Sequence, residues 1–85
     1  MSGDLDPRLA AFGEVIRRRR VLRKLTQDAL ADLAGVHRTH VGYAERGDKD
    51  IRLTTMFRLA DGLGMTPGEL FVAYDELVAE NDHLH

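Results

Sequence analysis

Cysteine and tryptophan are absent from this 85-residue chain, and proline occurs only twice. Without a thiol there can be neither a disulfide nor a thiolate metal site, so a reducing compartment is expected. Serine is confined to Ser2, and no glycine-rich loop carries the lysine that phosphate chemistry requires. An enzyme is therefore not expected. No apolar stretch approaches the roughly eighteen residues of a membrane span, and the N-terminal segment lacks the apolar centre of a signal peptide. These absences predict a soluble, cytoplasmic protein. Alternating β-branched runs are missing too, which argues against strands.

What remains is ordinary globular material, 44% apolar and 31% charged, enough for one domain spanning 1–85 and too little for two. The net charge of −2 speaks against a polyanionic partner until its distribution is considered. All twelve basic residues lie between Arg8 and Arg58, against eight acids through residue 58; beyond it there are six acids and no base. The first part is thus +4 and the second −6. One end can attract nucleic acid while the other repels it.

Start and stop signals predict five helices and an all-α fold. Asp6-Pro7 opens the first, with an apolar stripe of Leu9, Phe12, Val15, Ile16 and Leu22, ending near Lys24. Thr26 caps a second helix running to Ala34. A third spans Arg38 to Glu45 and stops at Gly47, although His37 is a poor cap. Thr54 is expected to cap a fourth, with Met56, Leu59, Ala60 and Leu63 inward and Gly64 at its end. Thr66-Pro67-Gly68-Glu69 forms a capping box for a fifth. The latter carries Leu70, Phe71, Tyr74, Leu77 and Val78 at three- and four-residue spacing, and residues 81–85 are expected to fray.

The most informative window is Gln27–Arg46, QDALADLAGVHRTHVGYAER. Ala31 is small enough for a second helix to cross closely, and Gly35 can take the left-handed conformation that turns the chain. Val36, Val41 and Ala44 are expected to face Leu30, Leu33 and Ala34. Arg38, Thr39, Gly42 and Tyr43 then point outward as candidate ligand contacts.

This window, with Leu25-Thr26, Glu45-Arg46-Gly47, Leu59-Ala60-Asp61-Gly62-Leu63-Gly64 and Leu70-Phe71, resembles the Cro and phage-repressor (Xre) family of helix-turn-helix regulators. Its small size, with Val36-His37-Arg38-Thr39-His40-Val41 and Glu45-Arg46-Gly47, is similar to the controller proteins of restriction-modification systems. The resemblance implies a homodimer that binds double-stranded DNA near its own promoter and regulates transcription. It places Arg38, Thr39, Gly42 and Tyr43 at base edges in the major groove. Arg38 can donate two parallel hydrogen bonds to guanine, Thr39 can meet a thymine methyl, Gly42 leaves open space beside the helix, and Tyr43 can serve either a thymine methyl or a phosphate. Gln27 matches a family glutamine that holds phosphate at a helix start. His40, Arg46, Lys49 and Arg52 are further phosphate candidates, with Asp48 and Asp50 interrupting the last two. Arg20 and Glu45 match a family ion pair.

Four consecutive arginines, Arg17 to Arg20, cannot share one helix face, because successive residues turn by about 100°. Arg17, Arg18 and Arg19 are read as a solvated face. His37 and His40 have two-ligand spacing but no third partner, so no metal and no cofactor are expected. The fifth-helix stripe, residues 67–80, is expected to form the dimer interface through Leu70, Phe71, Tyr74, Leu77 and Val78; the alternative is that Leu70 and Phe71 seal the domain's own core and the later residues form a partly frayed amphipathic tail. A competing reading keeps the scaffold as a protein-interaction module with little DNA affinity, in which the acidic tail could recruit a basic partner such as a surface of RNA polymerase.

Overall fold

The computed structural model describes residues 5–83, with side chains through Asp82. Helices α1 (Arg8–Leu22), α2 (Gln27–Ala34), α3 (Arg38–Arg46), α4 (Leu53–Leu63) and α5 (Pro67–His83) follow one another, with no strand among the described residues. The expected all-α, five-helix order is therefore present. α1 packs on α3 and α5, while α2 packs on α3 and α4.

Local chemistry explains most boundaries. Asp6 accepts the Arg8 amide at 2.9 Å, so it caps α1 although the helix begins one residue after Pro7. Thr26 Oγ1 accepts the Ala29 amide at 3.0 Å and caps α2. Thr66 and Glu69 close a reciprocal capping box at 3.0 and 2.8 Å. Gly35 ends α2 with φ of 69°, a left-handed conformation that a β-branched residue resists.

Four boundary expectations are corrected. His37 does cap α3, because its ring Nδ1 accepts the Thr39 amide at 3.2 Å. α4 begins before Thr54, with Arg52 at the cap position and no side-chain cap bond. α1 stops at Leu22 rather than near Lys24, since Lys24 takes φ of 60° to start the turn. Residues 81–83 continue α5 instead of fraying; residues 84 and 85 lie outside the described part of the chain.

Val15, Ile16, Leu30, Val41, Leu59, Leu63 and Leu70 form the centre of one core, with Leu77 completing it from α5. Two expected core residues are not there. Leu33 is 61% exposed because Leu30, Ala31 and Ala34 define the inward direction of α2, and Leu33 lies roughly 100° away from it. Leu22 shares the face of Val15 but ends α1 at the rim of a groove against α5, where it stays 70% exposed.

The expected dimer stripe also divides. Leu70 and Leu77 are buried within this chain's own core and cannot pair two subunits. Phe71 remains 47% exposed, with its ring 5.4 Å from that of Phe12, and neighbouring Val72 is 55% exposed. Tyr74 and Val78 are half-buried, Tyr74 lying 6.2 Å from Phe12. Three-residue spacing put Leu77 and Tyr74 on one stripe, but α5 buries the Leu70–Leu77 side and exposes the Phe71–Val72 side.

Candidate nucleic-acid interface

The interface rests on a charged network beneath α3. Arg20 Nε and Nη2 donate to the two Glu45 oxygens at 2.5 and 3.0 Å, and Nη1 donates to the Leu25 carbonyl at 2.8 Å. Gln27 Nε2 donates to Glu45 Oε1 at 3.0 Å. The side chains of Arg20 and Glu45 are 15% and 4% exposed, so water has little access to these partners. α1, the turn before α2, α2 itself and α3 are thereby joined at one carboxylate. The family ion pair implied by the sequence is formed. Gln27 turns inward to Glu45, away from the phosphate role that the resemblance implies, and the Thr26 hydroxyl takes the Ala29 amide in the first turn of α2.

Close backbone approach makes this network reachable. Gly13 is buried where α1 crosses α3, and a Cβ there would collide with the main-chain carbonyls of Ala44 and Glu45. Nothing in a lone glycine within a helical pattern identified this crossing in advance. The partner appears only once α1 is laid against α3.

On the opposite side of α3, Arg38, Thr39 and His40 are exposed on its first turn. His37 Nδ1 lies 2.9 Å from the Thr39 hydroxyl as well as accepting the Thr39 amide, so the cap and the first outward residue are tied together. Arg38 Nε stands 3.2 Å from Asp28 Oδ1, with both side chains about two-thirds exposed at 66% and 70%.

Gly42 requires a correction. It is buried rather than open, because the Arg46 guanidinium folds over it and would lie 3.0 Å from an added Cβ. Any base contact by the Gly42 backbone would first require that guanidinium to move. Tyr43 is half-buried and gathers two cations, with Lys49 Nζ 4.4 Å and the Arg46 guanidinium carbon 5.7 Å from its ring centroid. Arg46 also meets Asp48, Nε to Oδ2 at 2.5 Å.

Beside α3, the loop to α4 and the first turns of α4 enclose an open cleft of about 550 Å³. His37, His40, Tyr43, Lys49, Arg52 and Arg58 line it, with Asp50 as its carboxylate. The cleft joins three of the expected phosphate candidates, His40, Lys49 and Arg52, and adds Arg58. The latter was missed by sequence reasoning; its guanidinium donates to the Gly35 carbonyl at 3.1 Å and reaches the turn between α2 and α3. The available signal was that Arg58 is the last basic residue before the wholly acidic segment. Among the described residues, no three His, Cys, Asp or Glu side chains converge as metal ligands.

Arg17 and Arg18 are exposed on α1 and pair with Glu14. Arg19 departs from the solvated-face expectation: its Nε is buried without a hydrogen-bond partner.

Comparison with known proteins agrees with this architecture. A helix-turn-helix family model matches residues 16–70. Control protein C.SmaI of Serratia marcescens is 35% identical over 59 residues, covering 69% of this chain and 70% of that protein. The crystal structure of restriction-modification controller protein C.AhdI from Aeromonas hydrophila is 40% identical, with a TM-score of 0.71 over 74% of this chain and 96% of that one. Controller protein C.Esp1396I shares the fold, with a TM-score of 0.80 at 20% identity over 86% of this chain and 95% of its own. No helix among the described residues is long and apolar enough to cross a membrane. An α2–α3 turn closed by Gly35, fastened beneath by Glu45 and presenting Arg38 outward, lies inside the matched region; the chain belongs to the Cro/repressor (Xre-type) helix-turn-helix family of DNA-binding regulators, and is similar within it to the restriction-modification controllers.

Proposed function

We propose that this protein is a cytoplasmic transcription regulator that binds an inverted-repeat DNA operator as a homodimer, in the manner of a restriction-modification controller. The carrying observation is the exposed first turn of α3, held rigid from below by the Arg20–Glu45–Gln27 network and flanked by the cationic cleft. In this reading Arg38 contacts guanine in the major groove, and Thr39 offers its methyl group to thymine while His37 holds its hydroxyl. Tyr43 presents Lys49 and Arg46 to the backbone. His40, Arg52, Arg58 and the amides opening α2 supply further phosphate contacts.

Pairing would use Phe71, Tyr74 and Val78 from the original stripe, with Val72 added and Leu70 and Leu77 removed. Half-exposed Phe71 and Val72 support a symmetric contact that covers apolar surface. Twofold symmetry sets half-site centres about 34–36 Å apart. The exposed acids Asp75, Glu76 and Glu80 on α5 form a surface suited to a basic partner, RNA polymerase among them.

Selection of bound duplexes from a random DNA pool at near-physiological salt tests this reading. Enrichment of an inverted repeat is expected. Folded protein that enriches nothing would instead favour an interaction module, consistent with acids standing beside Arg38 and Arg46. A Phe71→Asp variant should sediment as a monomer and lose affinity for the paired site more than for a half-site.

A further inference from the structure

Asp28 is the most unexpected group on the DNA-facing side. Its carboxylate would approach phosphates and weaken attraction to any duplex, yet it occupies the first turn of α2 and stands beside the arginine best placed to read a base. We infer that Asp28 is a positioning residue for base readout: its carboxylate fixes the Arg38 guanidinium so that the two terminal nitrogens meet guanine end-on. The inference deepens the proposed DNA-reading function and rests on it.

The geometry supplies the reason. Arg38 turns Nε toward Asp28 Oδ1, at 3.2 Å, on a side chain that is 66% exposed, an orientation in which Nη1 and Nη2 can serve as the fork. That fork matches guanine O6 and N7, whereas a side-on approach through Nε would compete with the carboxylate. An unrestrained arginine carries much rotamer entropy, part of which is lost in any fixed contact. A partner that narrows those rotamers beforehand reduces the loss on binding. While the surface is wet the pair adds little to stability. When DNA excludes water, the same charges attract more strongly and hold the fork in register. General affinity is sacrificed for discrimination, since the wrong base meets a fixed fork and a nearby negative charge.

Two simpler roles make different predictions. As an acid at a helix N-terminus, Asp28 would alter stability and leave base preference unchanged. As a direct reader of cytosine, it would discriminate without Arg38.

The test uses the full chain and the operator obtained by selection. Wild type, Asp28→Asn, Asp28→Glu, Arg38→Ala and the Asp28→Asn/Arg38→Ala double variant are titrated against the operator, its three alternatives at the base pair sensitive to Arg38→Ala, and an unrelated duplex. Asp28→Asn should bind the unrelated duplex more tightly while losing about three- to tenfold in discrimination at that pair, within the usual coupling of contacting residues. In the Arg38→Ala background it should change discrimination there by less than about twofold. Asp28→Glu should recover part of the loss.

Equal tightening on every duplex with discrimination intact would overturn the inference and leave Asp28 as diluting charge. A loss that persists without Arg38 would overturn it in favour of direct readout. Wild type that discriminates among no duplexes removes both the inference and the DNA-reading function beneath it, an outcome distinct from failure of Asp28 alone. Melting curves of all five proteins isolate any helix-end effect.

Discussion

Two arginine–carboxylate pairs bracket α3, and their settings are opposite. Arg20–Glu45 lies under the helix at 15% and 4% exposure, with each charge held by further hydrogen bonds; Arg38–Asp28 lies above it at 66% and 70% exposure. The same functional groups therefore serve different physical purposes. A desolvated pair has no alternative partners, so it fixes where α3 sits relative to α1 and α2. A hydrated pair adds little to stability, so it does not set where a helix sits and can only bias the direction of its own arginine.

The largest effect should come from breaking the lower pair alone. Glu45→Ala strands the Arg20 guanidinium and removes the Gln27 acceptor, and it should cost about 3–5 kcal/mol in urea denaturation. Loss of less than about 1 kcal/mol would show that water or a neighbour compensates the arginine. Replacing both partners, Arg20→Met with Glu45→Leu, sharpens the comparison: that double variant should be distinctly more stable than Glu45→Ala.

Next comes the approach that lets α1 reach Glu45. Gly13→Ala should destabilise by at least about 1–3 kcal/mol, because the added methyl meets carbonyl oxygens rather than a movable side-chain end. A neutral result in thermal and denaturant unfolding would mean that the two helices separate easily, contrary to the rigid lower face.

The helix order was legible in the sequence because local chemistry marks it. Thr26, Gly35, Gly64 and the Thr66–Glu69 box each act within a few residues of where they stand. Arg20 and Glu45 were legible through family resemblance. Leu33 was not, because inward direction depends on the sum of Leu30, Ala31 and Ala34 rather than on spacing from one leucine. Leu70 and Leu77 were misassigned for a related reason: periodicity shows that a helix has an apolar side, but not whether its own domain or a second copy covers it. Gly42 looked open because the spacing of α3 does not include the long Arg46 side chain that folds back over it. Arg58 and Asp28 gained significance only through contacts across 23 and 10 residues of chain, respectively.

The upper pair should yield a different kind of effect. Arg38→Ala should leave stability within about 0.5 kcal/mol, since the side chain is exposed. It should nevertheless remove about 1–3 kcal/mol of preference at one base pair, measured by titrating operator variants. Unfolding of this variant would contradict the division between a structural lower face and a reading upper face. Uniform weakening on all sequences would make Arg38 a phosphate contact.

The smallest effect concerns a third cluster, on α1, that is partly hydrated like the upper pair. Arg17 donates to Glu14 at 2.9 and 2.8 Å and Arg18 at 2.9 Å, and the Arg17 hydrogen bonds are the main reason the Glu14 carboxyl is held down at about 2, from an ordinary 4.5. A carboxyl depressed by folding adds stability above its unfolded value, and that contribution disappears as pH falls from about 4.5 towards 2. Glu14 is a third exposed, so solvent screening limits the contribution to about 1 kcal/mol or less. Asp6, held at about 2 mainly by its Arg8 hydrogen bond, titrates in the same window, so the wild-type acid limb alone is ambiguous. Subtracting the stability curve of Glu14→Gln isolates one carboxyl: the difference should vanish near pH 2, grow up to about pH 4.5, and shrink in high salt. A difference that ignores pH would assign Glu14 to packing rather than to its pairing with Arg17 and Arg18.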